Sequence, residues 1–578
     1  MKDEKESQIY KIRHSLAHLL AIEVLKFDPQ AKLAIGPVIE NGFYYDIDFS
    51  EGKIPTDKNL REFQKGIKKS TNKKLTFERA EISPDDAQKM FAENPYKIEL
   101  INDLVKNGEK LSIYKTGDFV DLCSGPHIND TSEINTDAFA IINTAGAYWR
   151  GDEKNKMLTR IYGVAFETAK ELDNYNKKIL EAAQRDHRKI GKEMNLFTFS
   201  DLVGSGLPMF TPKGTAIRNA LKNRLFEISS RYDMQEVTIP HLAKIKLYEK
   251  SGHAEKFADE LMKVVSHYDD FVLKPVNCPH HTQIYASIPR SYRDLPVRLM
   301  ESTMQYRDEK PGEIGGLTRV RAITCDDGHI FCTPDQIKEE VGNIVKIIEE
   351  FYTDIGLYGN HWVSLSIRDL KHPEKYIGTT ETWDKAEKML AEISDELKLN
   401  AKVVEGEAAI YGPKLDFMFK DSLDRERQLA TIQLDFNMPA RFELEYTDRD
   451  GQKKTPVMIH RAILGSYERF LAILIEHFAG NFPYWLCPVQ LKIIPVAESH
   501  NQKAQELYKS LKQKGIRVEL ENSDEGFGKK IRKAKVEKVP YFVVIGDKEI
   551  AENNYTLESR DRGNLGVFNE VKLISELR

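Results

Sequence analysis

Residues 324–332 read TCDDGHIFC, which puts two cysteines, two adjacent aspartates and a histidine within nine positions. Such a cluster suits a metal site, a strand carrying catalytic side chains, or an acidic surface turn. The flanking residues of RVRAITCDDGHIF are rich in β-branched and aromatic types, so the stretch reads as a strand or one arm of a hairpin. Alternate side chains on a strand share a face. That groups Arg319, Arg321, Ile323, Cys325, Asp327 and His329, and turns Cys332 toward a core. Asp326 and Gly328 would shape the strand or turn. The C-x3-H and H-x2-C spacings lack a second matching pair. The stretch alone therefore defines no zinc site, and a hairpin with a polar face fits it as well.

Two distant segments offer further donors. KPVNCPHHTQIY sets Cys278 between Asn and Pro, as at a strand or loop end, and PVMIHRAILGSYERF ends an apolar strand run on His460 before a helix. Cys, His and His from three segments would suit a catalytic Zn²⁺ with an open fourth position, although spacing does not show that they converge.

A chain of 578 residues is too long for one core, so three or four domains are expected. With 41% hydrophobic and 30% charged residues, the composition is that of a globular protein. No apolar run approaches the length of about 18 residues that crosses a membrane. The charged start MKDEKESQIYKIRHS is no secretory signal. Five scattered cysteines exclude a disulfide scaffold and fit a reduced, cytoplasmic setting. A net charge of -5 argues against a coat of basic residues for DNA, while leaving room for a local basic surface.

Residues 1–165 mix strand-like runs (GFYYDIDF, FAIINTAGAYW) with the amphipathic RHSLAHLLAIEVL. Residues 166–194 read as one long polar helix linking two domains. Residues 195–487 suit a large α+β domain on an antiparallel sheet, and residues 488–578 alternate β-α-β-α-β, as in a small α/β domain.

Several ordered motifs resemble those of class II aminoacyl-tRNA synthetases. GLPMFTPKGTAIRNALKNRLFEISSRYDMQEVTIP, ending at Pro240, resembles motif 1; MQYRDE with GLTRVRAITCDDGHIFC resembles motif 2; HRAILGSYERF resembles motif 3. With NCPHH, DDGHIFC and AIYGPKLDF added, the resemblance is to the threonyl-tRNA synthetase family and covers essentially the whole chain. It implies one Zn²⁺ per subunit on Cys278, His329 and His460, chelated by the amino group and hydroxyl of threonine, with Asp327 accepting from that hydroxyl. It implies Mg²⁺ with ATP, Arg307 on the α-phosphate, Arg469 on the γ-phosphate and Glu309 on the adenine. Arg319, Gln428 and Thr431 fall where the family binds ATP. Tyr411, Lys414 and Gln433 fall in the substrate pocket, and His253 where the family assists transfer to tRNA. Motif 1 implies a homodimer.

The pairs His14/His18 (RHSLAH) and Cys123/His127 (CSGPH) are each four residues apart. Taken alone they read as two unrelated pairs or as a zinc site. They resemble the editing domain shared by threonyl- and alanyl-type enzymes. In the threonyl family, that resemblance implies hydrolysis of mischarged Ser-tRNA(Thr) without zinc, supported by Asp121, Lys97 and Tyr45. The C-terminal region resembles a class IIa anticodon-binding domain, which implies phosphate contact by Lys529, Lys530 and Arg532, with Glu549, Arg560 and Arg562 as base readers. The small N-terminal ubiquitin-like domain of many relatives is expected to be missing, since His14 lies near the start. Relatives often carry Gln at position 325. Cys325 is expected to be a neutral pocket wall, with a fourth zinc ligand as the competing reading. A synthetase for another amino acid, a tRNA-binding paralogue without catalysis and a stand-alone editing hydrolase are the rival functions.

Overall fold

In the computed structural model residues 7–577 are described, and they divide after Glu181 into two compact units. Among the described residues no helix is long and apolar enough to cross a membrane.

The first unit is built on helix α1 (Gln8–Phe27), whose Ile12, Leu16, Leu19, Leu20 and Val24 recur at helical spacing and are buried. Ser7 caps it by accepting from Tyr10 N. Its apolar stripe meets an antiparallel sheet whose long members are β1 (Gly42–Asp48), β4 (Phe139–Tyr148) and β5 (Met157–Ala165), in the order β1-β5-β4. Helices α2 (Asp57–Thr71) and α3 (Pro95–Lys106) and the hairpin β2 (Ser112–Thr116)–β3 (Phe119–Leu122) complete it.

The linker expected as one helix is two. Helix α4 (Ala169–Arg185) stops, and α5 (His187–Glu193) restarts on Asp186, whose carboxylate accepts from Arg188 N. An aspartate that caps a helix also interrupts the one before it, because its backbone is not helical (φ -50°, ψ 121°).

In the second unit, eight strands form one sheet. They are β6 (Gln235–Glu236), β7 (Val297–Tyr306), β8 (Ala322–Cys332), β9 (His361–Ile367), β10 (Lys402–Glu405), β11 (Lys414–Lys420), β12 (Glu426–Asp435) and β13 (Val457–Ala462). The order is β6-β7-β8-β13-β12-β11-β9-β10. Neighbours are antiparallel except at the two edges, where β6·β7 and β9·β10 are parallel. Helices α6 (Pro212–Ser230), α8 (Ile337–Ile355) and α9 (Tyr467–Phe478) bury Leu221, Leu225, Ile344, Phe351, Phe470 and Leu474 in the main core. Each such side chain contributes about 1.5–3 kcal/mol. Helix α7 (Cys278–Ala286) lies among these elements in the chain.

TCDDGHIFC lies within β8, an 11-residue strand with no turn at Gly328. A Cβ at Gly328 would come 2.5 Å from Arg461 Nε, so the glycine makes room for that guanidinium rather than for a bend. The strand starts at Ala322, so Arg319 and Arg321 precede it rather than extending its face.

The last 88 or so residues form a five-stranded sheet, β15-β14-β16-β17-β18, from β14 (Leu491–Pro495), β15 (Val518–Leu520), β16 (Tyr541–Ile545), β17 (Tyr555–Ser559) and β18 (Gly563–Phe568). The β-α-β-α-β pattern covers β14, β15 and β16, which pair in parallel; an antiparallel hairpin, β17–β18, follows.

Candidate functional site

Register assembles the first site. His329 on β8 pairs with His460 on β13, His460 with Gln433 on β12, and Gln433 with Lys414 on β11. Residues opposite one another in a sheet point to the same face, so these four form a single cross-strand row. The next two rows on this face carry Glu301 opposite Asp327 and then Thr303 opposite Cys325.

Cys278 begins helix α7, rather than lying at the end of a strand or loop, with Pro279 fixing the first turn. Its Sγ and one nitrogen each of His329 and His460 lie within 4.8 Å of one another, and all three residues are buried. A pocket of about 160 Å³ opens here, lined by Cys278, Gln305, Asp327, His329, Tyr411 and Gln433 among others. It is well below the roughly 300–1,000 Å³ of drug-sized sites, so it suits one small moiety.

The donor set fits a tetrahedral metal. His460 Nε2 is 3.0 Å from Asp435 Oδ2, which leaves Nδ1 as its free donor. Burial holds His329 well below the ordinary imidazole range, so it is neutral and competent to ligate. Cys325 is not in the donor group; four residues along a strand place it about 13 Å from His329. Asp327 Oδ2 accepts from Asn277 Nδ2 at 3.1 Å and Gln305 Nε2 at 3.4 Å, and burial raises its carboxyl.

Further out, Asp416 gathers donors from Ser366 (2.8 Å), Lys414 (2.7 Å), Gln428 (2.8 Å) and Thr431 (2.8 Å). Sequence reading missed Asp416, Asp435 and His281. Parity could have found Asp435, which is two residues beyond Gln433 on the same strand face. His253 is buried, with Nδ1 2.9 Å from Ser251 Oγ and Nε2 without a partner among the described residues. Burial pushes it down to about 4. Its ring lies 5.7 Å from that of Tyr411.

Arg307 has no side-chain hydrogen bond or ion pair among the described residues. Arg319 Nε instead donates to Glu309 Oε2 at 2.7 Å. Arg469 is exposed on the first turn of α9, where Ser466 Oγ accepts from its backbone N. A third group with metal-binding residue types, Asp186–His187–Glu476, is a structural tie. His187 has Nδ1 on Glu476 (2.7 Å) and Nε2 accepting from Leu317 N (3.1 Å), so neither nitrogen is free.

The first unit holds a second cluster. His14 and His18 lie one turn apart on α1, and one nitrogen of each comes within 4.8 Å of the Cys123 thiol and a His127 nitrogen. Cys123 Sγ is 3.4 Å from His14 Nε2 and 3.3 Å from His127 Nε2. Burial keeps His127 and His18 neutral and lifts the Cys123 thiol to about 12, so it is no thiolate at neutral pH. Asp121 is buried beside them; it takes Lys97 Nζ at 2.5 Å and the Tyr45 hydroxyl, and His18 Nε2 lies 3.9 Å away. The adjoining cavity of about 460 Å³ is lined by His14, His18, Tyr45, Lys97, Asp121 and Cys123.

On the basic helix α10 (Phe527–Val536), Lys529 and Arg532 are exposed, but Lys530 is buried and removed from any phosphate-facing surface. The residue lies on the inner side of a helix whose Ala534, four positions on, is also buried. Glu537 is held by Lys492 (2.7 Å) and Lys213 (3.2 Å). Glu549 accepts from Gly546 N (3.1 Å) and Thr556 Oγ1 (3.0 Å), which satisfies it locally. Arg560 bonds Lys538 O and Asp561, and Arg562 bonds Tyr541 Oη.

Residues 262–478 match the tRNA synthetase class II core domain (G, H, P, S and T), residues 490–578 an anticodon binding domain, and residues 111–162 the threonyl and alanyl tRNA synthetase second additional domain. The threonine–tRNA ligase of Cytophaga hutchinsonii is 47% identical over 558 residues, covering 96% of this chain and 86% of the relative. That of Thermosynechococcus vestitus is 43% identical over 586 residues, covering 100% and 96%. Among solved structures, the RNA binding domain of threonyl-tRNA synthetase from Cryptosporidium parvum aligns with a TM-score of 0.64 at 34% identity, over 68% of this chain and 97% of that one. Prolyl-tRNA synthetase of Giardia lamblia shares the fold at a TM-score of 0.54 and 16% identity, over 69% and 76%. With its cross-strand row of donors and its paired His and Cys/His cluster, the chain belongs to the threonine–tRNA ligase family of class II aminoacyl-tRNA synthetases.

Proposed function

We propose that the chain activates threonine with ATP to threonyl-adenylate, transfers it to the 3′-hydroxyl of the terminal adenosine of tRNA(Thr), and hydrolyses mischarged Ser-tRNA(Thr). The observation that carries the reading is the convergence of Cys278, His329 and His460 beside Asp327 in one small buried pocket.

In this reading Cys278, His329 and His460 hold Zn²⁺, which when bound offers an open position to an amino acid bearing both an amino group and a hydroxyl. Asp327 accepts a hydrogen bond from that hydroxyl. A site that hydrogen-bonds a substrate hydroxyl rejects valine, which would leave those polar groups unpaired. Tyr411 and Gln433 wall the pocket. The Arg307 side chain, with no hydrogen bond or ion pair among the described residues, takes the α-phosphate, while Arg469 takes the γ-phosphate and Mg²⁺ accompanies ATP. Guanidiniums at those points stabilise charge developing at phosphorus. Glu309 contacts adenine after exchanging or sharing Arg319. Asp416 holds Lys414 on the substrate side and Gln428 and Thr431 on the nucleotide side. His253, neutral at physiological pH, takes the proton of the attacking hydroxyl through Nε2.

Serine differs from threonine by one methyl group, worth about 1–3 kcal/mol of discrimination, so a second pocket has a physical purpose. There His14, His18, Cys123 and His127 orient a water against the seryl ester. Neutral imidazoles act as base, and Asp121, Lys97 and Tyr45 orient the substrate. A cytoplasmic homodimer, anticodon contact through Lys529, Arg532, Arg560 and Arg562, and domain divisions near residues 165, 194 and 487 complete the reading.

Exchange of labelled pyrophosphate into ATP with threonine, serine and valine in turn tests the proposal. Threonine should support exchange best, serine less well and valine hardly at all. Exchange led by another amino acid contradicts it.

A further inference from the structure

Behind His329 lie two side chains to which none of the roles above applies. His281, on the first turn of α7, is completely buried, and its Nδ1 stands 2.7 Å from His329 Nδ1. Its Nε2 has no hydrogen-bond partner among the described residues. Glu301 Oε2, 3.8 Å away and also buried, has none either. The other oxygen of Glu301 accepts from Ile239 N at 3.0 Å, which fixes the carboxylate in place.

Two imidazole nitrogens 2.7 Å apart need one proton between them, so one donates and the other accepts. If His329 donates from Nδ1, its Nε2 keeps a lone pair directed at the pocket. The proton of His281 then sits on Nε2, aimed at Glu301. In the opposite assignment His329 Nε2 is protonated and cannot ligate, and His281 presents a bare lone pair to a carboxylate. Glu301 therefore favours the first arrangement, and in it the lone pair of His329 Nε2, 3.6 Å from Asp327 Oδ1, is left for a cation shared with that carboxylate rather than for a proton. His460 needs no such relay, because Asp435 meets its Nε2 directly at 3.0 Å.

We propose that Glu301 and His281 form an outer-shell relay that fixes the tautomer of His329 and so presents its Nε2 to the metal. The inference rests on the zinc reading above. Both are positioning residues: neither touches metal or substrate. Removing such partners weakens metal affinity by about 10–100-fold.

The test uses the full zinc-loaded chain and follows zinc transfer to a chromophoric chelator at equilibrium. Glu301→Gln keeps volume and shape but can donate where an acceptor is needed. It should hold zinc at least tenfold more weakly than wild type, as should His281→Asn. His280→Asn should retain wild-type affinity, because His280 turns to the backbone of Leu242 instead. A Co²⁺-substituted sample should show an altered visible spectrum in the two relay variants only. Thermal unfolding of each metal-free variant checks that it folds, and if His281→Asn does not, Glu301→Gln decides. Wild-type zinc affinity in Glu301→Gln overturns the relay and leaves the zinc reading standing. A wild-type chain that takes up no zinc overturns both.

Discussion

Asp326 and Arg461 are fully buried partners on neighbouring strands, joined by an ion pair on the sheet face opposite the pocket. Asp326 Oδ2 also accepts from Ile463 N at 2.7 Å and Leu464 N at 3.3 Å. One carboxylate thus holds the turn that leads from His460 into α9 and Arg469. Asp326→Ala strands a buried guanidinium, and breaking such a pair costs about 3–5 kcal/mol. Urea unfolding should show that loss. Asp327→Asn, one residue along on the pocket face, should instead raise KM for threonine with a nearly unchanged unfolding midpoint.

Cys325→Gln should keep full zinc content and threonine-dependent exchange, because Cys325 lies outside the donor group and, contrary to the expected pocket wall, is not among the residues that line the small pocket. Metal analysis and exchange on the same sample check this; loss of zinc would make Cys325 a ligand.

His253 is pushed down to about 4 by burial. Its basic form is therefore present throughout the neutral range. Single-turnover transfer to tRNA should be flat from pH 6 to pH 8, without the inflection near 6.5 of an ordinary histidine. The depressed value also means that His253 favours the folded state above about 6.5, a contribution lost as pH falls from there toward 4. His253→Ala should slow transfer while leaving exchange intact.

Tyr45 donates to the buried Asp121. Tyr45→Phe should slow deacylation of Ser-tRNA(Thr) about tenfold, the equivalent of roughly 1.4 kcal/mol lost from one hydrogen bond to a charged group. His18→Ala should abolish it. Threonine-dependent exchange, measured in parallel, should not change in either variant.

Arg532 is exposed on α10, whereas Lys530 is buried. Arg532→Ala should weaken tRNA binding and reduce the log–log salt slope by somewhat less than one, about 0.7–0.9 for one phosphate contact. Lys530→Met should leave that slope unchanged. Equal slope changes in both would contradict the orientation of the helix.

Much of this organisation is legible in the order of residues. Strand parity groups Cys325, Asp327 and His329, and helical spacing puts His14 and His18 on one face of α1. Registers are not legible. Nothing in the spacing of His329, His460, Gln433 and Lys414 says that they stand in one row, because pairing between strands far apart in sequence is fixed by packing. The break at Asp186 was missed because the helix formers on both sides outvote one capping residue until Arg188 and Glu476 are placed around it. The burial of Lys530 and the local pairing of Glu549 are tertiary facts, since a basic run looks the same on an inner or an outer helix face.

In the function proposed, a metal held by Cys278, His329 and His460 lets the chain choose threonine. The most direct measurement is threonine- and valine-dependent ATP–pyrophosphate exchange on one sample: as purified, after chelation, and after stoichiometric Zn²⁺ is restored. The expected result is one zinc per chain, loss of threonine-dependent exchange on chelation, its return with zinc, and almost no exchange with valine in any state. Undiminished threonine exchange in the zinc-free chain would contradict it.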